Sequence, residues 1–126
     1  MSGHEESPFK GKTGLTRLWN AFFYSIDGFK AAYRHEDAFR QEVLLAVVLI
    51  PAAFFVSGGA IERALMIGSV LLLLIVELIN SAIEATVDRI SLKDHVLAKR
   101  AKDIGSASVL KAIILMVTVW GLVIFG

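Results

Sequence analysis

Apolar residues gather into three runs, roughly Val43 to Val56, Ala64 to Val87 and Ile104 to Phe125, and the charged residues concentrate between them. Crossing ~30 Å of hydrocarbon takes about 20 helical residues at about 1.5 Å each. The second and third runs supply that length, and the first does so once its ends are included. Membrane helices are therefore predicted over about 43–60, 64–90 and 104–125. Pro51 inside the first predicts a lost backbone bond and a bend, which neighbouring helices tolerate in lipid. Ahead of these runs Leu15, Leu18, Trp19, Phe22, Phe23, Ile26, Phe29 and Tyr33 recur at helical spacing, while Arg17, Asn20, Tyr24 and Asp27 fall on the other side. The segment from Leu15 to Arg34 is thus predicted to be an amphipathic helix in the membrane interface, its stripe meeting lipid, the bundle or both. Residues 1–13 read as a flexible polar tail, without the apolar run of a cleavable signal peptide. The predicted fold is an all-α membrane protein, a single domain over 14–126 with three transmembrane helices and an N-terminal surface helix.

Composition agrees with a bilayer environment. Of 126 residues 56% are hydrophobic, above the ~45–50% of soluble domains. Thirteen Lys and Arg against twelve Asp and Glu leave a net charge of +1, which argues against nucleic acid as a partner. Cysteine is absent, so disulfides and thiolate metal sites are excluded. The basic residues are unevenly placed: Lys10, Lys12, Arg17, Lys30, Arg34 and Arg40 precede the first run, only Arg63 separates the first two, and six lie from Arg89 to Lys111. The positive-inside rule then sets the N-terminus and the loop after the second span on the cytoplasmic side.

The second span carries carboxylates. Within VELINSAIEATVDR, Val76 to Arg89, the polar residues Asn80, Ser81, Glu84 and Asp88 all project within about 60° of Glu77 around the helix. An acidic side chain in a membrane costs roughly 2.5–3.5 kcal/mol on insertion scales, so this stripe calls for a metal, a partner or a polar cavity. Mg²⁺ binds through one or two carboxylates plus substrate phosphates, which makes phosphoryl transfer a natural reading. A proton or ion relay and an inter-helix hydrogen-bond network fixing assembly are the rival readings. Glu36 and Glu42, in HEDAFRQE, frame the cytoplasmic end of the first span, where solvated interface charge is the plainer interpretation. The segment SLKDHVLAKRAKDIGSAS, Ser91 to Ser108, is rich in Lys and Arg suited to phosphates or to anchoring at the membrane edge. Neither a GxxxxGK[ST] loop nor a protein-kinase glycine-rich loop occurs, so a kinase here has another design.

ELINSAIE followed by VDR and AKDIGSA, with EDAFRQE before the first span, resembles the signature of the prokaryotic diacylglycerol kinases from about Gly14 to the C-terminus. The resemblance implies a homotrimer in the bacterial inner membrane with active sites between subunits on the cytoplasmic side. It implies that diacylglycerol, or a related lipid alcohol such as undecaprenol, is phosphorylated from ATP with Mg²⁺ as cofactor. EDAFRQE favours diacylglycerol. Carried over, it makes Glu77 the base that accepts the lipid hydroxyl proton, with Asn80 in support, and makes Glu36 and Glu84 the metal ligands. Arg17, Tyr24, Glu36, Glu84, Lys102 and Asp103 match ATP-contacting positions, with Lys102 on the phosphates. Lys93, Asp94 and His95 fall on the nucleoside loop, where only His95 keeps the family's residue. Ser106 matches a headgroup position, and Arg17, Lys30, Tyr33, Ala38, Phe39, Arg40, Gln41 and Glu42, together with Glu77, form the implied lipid site.

Overall fold

The computed structural model describes residues 14–90 and 95–126. The implied contacts of Lys93 and Asp94 and the tail 1–13 lie outside the described residues. Among the described residues four helices follow in order: α1 (Gly14–His35), α2 (Asp37–Val56), α3 (Ala60–Ile90) and α4 (Val96–Phe125), with no strand. The last three are long and apolar enough to cross a membrane.

Each helix departs from its apolar run for a local reason. Helix α2 starts at Asp37, ahead of the run at Val43, because the chain breaks at a single extended residue, Glu36, with φ −119° and ψ 107°. It continues through Pro51 and stops at Val56, before Gly58 and Gly59. The Gly58 N–H donates to Glu62 Oε1 at 2.6 Å, which ties the loop to the first turn of α3. Arg63 closes the same turn, its Nε 3.2 Å from Ser57 Oγ and its guanidinium 4.9 Å above the Phe54 ring. Helix α4 begins at Val96 rather than near Ile104. His95 caps it by accepting the Leu97 N–H at Nδ1, 3.0 Å, and Lys99 pairs with Asp103 one turn on at 2.7 Å.

Helix α3 is central, packed against α2 on one side and α4 on the other, while α1 rests on the start of α2. Ala46 of α2, Val70 and Leu73 of α3, and Ala112 and Met116 of α4 form the core. Ala46 on α2 and Ala112 on α4 are small, which allows close approach to α3. The Trp120 Nε1–H donates to the Met66 carbonyl at 3.2 Å and pins α4 to α3 away from the charged end. Only 17%, 33% and 11% of the three spanning windows is buried, so most of their apolar surface is left for lipid or for other copies of the chain. The first half of the α1 stripe is likewise exposed. Leu15, Leu18, Trp19 and Phe22 are exposed, and Phe23 meets both the Trp19 and the Phe22 rings edge to face.

Arg40 fixes the angle between α1 and α2. Its Nη1 donates to the Tyr33 carbonyl at 2.7 Å and the Arg34 carbonyl at 2.9 Å, and its Nη2 pairs with Asp37. A cation thus satisfies carbonyls at the C-terminal end of α1, where the helix dipole favours it. Arg40→Ala should loosen α1, with backbone amide exchange near Tyr33 and Arg34 accelerating roughly tenfold. Unchanged exchange there would mean that the stacking of α1 on α2 suffices.

Candidate active site

The polar stripe of α3 begins on its buried face, at Glu77 and Asn80, and emerges to an exposed Asp88. Met66, Val70, Leu73, Glu77 and Asn80 follow one another along the seam between α2 and α4, so the stripe continues the core toward the charged end. Glu77 is 4% exposed and Asn80 7%, while Glu84 is half-buried one turn beyond. Ser81 Oγ lies 3.5 Å from Glu77 Oε2. From α2 the Glu42 carboxyl meets that of Glu77. Glu36, Glu42, Glu77, Asn80, Glu84 and Ser106 line one cleft of about 460 Å³. Thus Glu42, expected only on the lipid path, belongs to the acidic cleft itself.

Glu36 occupies the N-cap position of α2, yet its side chain makes no capping bond and turns instead to the cleft. Glu36 and Glu84 also line a second cleft of about 670 Å³, formed between α1 and α3 by Gly28, Ala32, Ser81 and Asp88 among others. The two residues therefore stand where both clefts meet. Glu36, Glu77, Asp88 and Lys102 lie close enough for their charges to act on Glu84. Lys102 Nζ pairs with Asp88 Oδ1 at 2.6 Å and bridges α4 to α3. Asn80 Oδ1 and Glu42 Oε1 are buried without a hydrogen-bond partner. Leaving such atoms unpaired costs roughly 1–3 kcal/mol each, a cost that a bound polar group would remove.

Of the implied nucleotide residues, Glu36, Glu84 and Lys102 come together in one chain and others stand apart. Arg17 and Tyr24 sit on α1 outside both clefts, and Asp103 lines a groove on α4 with Val96 and Arg100, paired to Lys99. The implied lipid residues divide in two. Lys30, Tyr33, Phe39 and Arg40 line a groove at the α1–α2 junction with Phe29 and Leu74, whereas Ala38 and Ser106 reach the acidic cleft and Gln41 is exposed. Asp88 and Gly105 have parts in the site that sequence reasoning did not assign. Asp88 was visible on the α3 stripe, and Gly105 as a glycine inside a helix, a frequent mark of close backbone approach.

The family model for prokaryotic diacylglycerol kinase matches residues 23–124, which takes in every residue of the acidic cleft. The chain is 58% identical over 120 residues to a diacylglycerol kinase of Pseudomonas aeruginosa, covering 95% of this chain and 98% of that one. It is 51% identical to the Haemophilus influenzae diacylglycerol kinase over 90% of this chain and 96% of the relative. The Escherichia coli K12 diacylglycerol kinase is 52% identical, with 90% and 93% covered. The chain belongs to the prokaryotic diacylglycerol kinase family. A kinase of this family here carries three membrane-length helices in place of a soluble nucleotide-binding fold.

Proposed function

We propose that this membrane protein transfers the γ-phosphate of ATP to the free hydroxyl of diacylglycerol, giving phosphatidic acid. The observation that carries this reading is the acidic cleft, with Glu77 buried at its floor and Glu36 and Glu84 at its junction with the α1–α3 cleft, inside a chain of this family. In the reaction Glu77 takes the hydroxyl proton as the lipid oxygen attacks the γ-phosphorus and ADP departs. Asn80 holds the hydroxyl and the Glu77 carboxylate in register. Lys102 exchanges Asp88 for the phosphates as ATP arrives.

Glu36 and Glu84 suit Mg²⁺, offering hard oxygen donors from two segments and leaving other positions to phosphate oxygens and water. Among the described residues no group of three or more His, Asp or Glu side chains is arranged to hold an ion without such help. When bound, the ion neutralises phosphate charge and orients the γ-phosphoryl group.

The site is completed between subunits of a homotrimer in the bacterial inner membrane, with its polar end cytoplasmic. The separation of Arg17, Tyr24 and Asp103 from the cleft of their own chain supports this, as does the unburied apolar surface of the spans. Residues 14–126 form the kinase domain.

Incubating the protein with labelled ATP and a panel of lipid alcohols in mixed micelles tests the assignment. Label in phosphatidic acid supports it, and transfer only to undecaprenol would replace the acceptor. The α1 stripe is read as the surface that gathers the lipid. Phe22→Glu should raise the lipid KM about tenfold, the scale of losing one buried aromatic side chain, with the ATP KM unchanged. An unchanged lipid KM in folded protein would leave α1 a packing element.

A further inference from the structure

We propose that Gly105 is a positioning residue for Asn80, its missing side chain being what lets the amide stand in the acidic cleft beside Glu77. Gly105 is buried on α4, where α4 faces the Glu77 and Asn80 turn of α3. A Cβ built there would overlap Asn80 Oδ1 and also crowd its amide carbon, at 3.3 Å. Because Asn80 is itself buried, at 7% exposure, its side chain cannot swing into solvent to avoid the added methyl. It would have to turn within the cleft or push the two helices apart.

The contact differs from ordinary helix packing in one respect. Where small residues merely allow helices to approach, a new methyl meets backbone or apolar side chains. Here its nearest neighbours are the oxygen and carbon of a single amide, and that oxygen has no hydrogen-bond partner of its own. The hydrogen occupying the Cβ direction of Gly105 instead points at Asn80 Oδ1, the arrangement of a weak Cα–H···O contact between helices. Gly105 thus closes off one side of the amide without satisfying it, so the unpaired oxygen keeps a fixed direction and its full capacity for a substrate hydroxyl. The neighbouring Ser106 lines the same cleft, so the α4 backbone at 105–106 meets the cleft at two consecutive positions.

This inference rests on the catalytic reading of Glu77 and Asn80, and the test separates the two. Initial rates with MgATP and diacylglycerol in mixed micelles give kcat and both KM values for Gly105→Ala, Asn80→Ala and the double variant, with trimer assembly followed alongside. Displacing a positioned group by about 1 Å commonly costs on the order of 10²-fold, so Gly105→Ala should lower kcat by about that factor with the ATP KM within about threefold. In the Asn80→Ala background the same change should cost less than about threefold, since the group it displaces is gone. Equal losses in both backgrounds would overturn the proposal by showing that Gly105 serves helix packing. If Asn80→Ala lowers kcat and Gly105→Ala does not, the positioning role fails while the catalytic reading stands. A kcat unchanged in Asn80→Ala overturns both. Should Gly105→Ala fail to assemble, recovery of assembly in the double variant supports the steric link to Asn80, and its absence overturns it.

Discussion

Glu77→Gln will fold and bind nucleotide but lose transfer by ~10²–10⁴-fold, the usual contribution of a general base. The environment of Glu77 explains why folding should survive. Its Oε2 faces the Ser81 hydroxyl at 3.5 Å, and the Gln carbonyl oxygen can accept from that hydroxyl in the same place. On the other side stands the Glu42 carboxyl, to which a Gln amide can donate. Shape and packing are kept on a residue only 4% exposed, so no cavity opens in the seam between α2 and α4. What disappears is the ability to take a proton. The lipid hydroxyl must then attack while still protonated or release its proton to water, and only kcat should fall. Calorimetric titration with MgADP should give the wild-type affinity, and the thermal midpoint should move little. Near-normal turnover in a folded Gln variant would transfer the base role to another group, with Glu42 the next carboxylate in line.

The site was legible in the sequence to the extent that one helix determines it. A period of 3.6 residues puts Glu77, Asn80, Ser81, Glu84 and Asp88 on one face wherever the helix lies, and α3 buries Glu77 and Asn80 from that face while Asp88 stays exposed. What the period cannot show is the partner opposite. That Glu42 meets Glu77, that Lys102 pairs with Asp88, and that Gly105 abuts Asn80 all depend on the register of α3 against α2 and α4. Helix ends were blurred for a related reason. The extended geometry at Glu36 and the cap at His95 come from local backbone and side-chain bonds, which leave no mark on hydropathy. The apolar stripe of α1 was plain, yet only the fold shows that its residues from Leu15 to Phe22 stay exposed while Phe29 and Tyr33 line the junction with α2.

Glu84→Ala and Glu36→Ala should each reduce turnover by roughly 10²-fold at ordinary Mg²⁺, with part of the loss regained as Mg²⁺ is raised. Both carboxylates line the acidic cleft and the α1–α3 cleft alike, so each faces both cavities. Removing either leaves phosphate charge uncompensated. The weakened ligand set then shows as a higher Mg²⁺ concentration at half-maximal rate, a shift that a purely structural defect would not produce. The two variants should differ in one respect. Glu36 makes no capping bond, so its loss touches helix α2 little, whereas Glu84 lies near Lys102 and its removal alters the field around that lysine. Glu84→Ala should therefore also change the ATP KM, and Glu36→Ala should act mainly through Mg²⁺. Rates measured across a Mg²⁺ series at fixed free ATP decide the matter. Full activity of both variants at ordinary Mg²⁺ would remove the pair from the metal site and leave the cleft with a different arrangement of charge compensation.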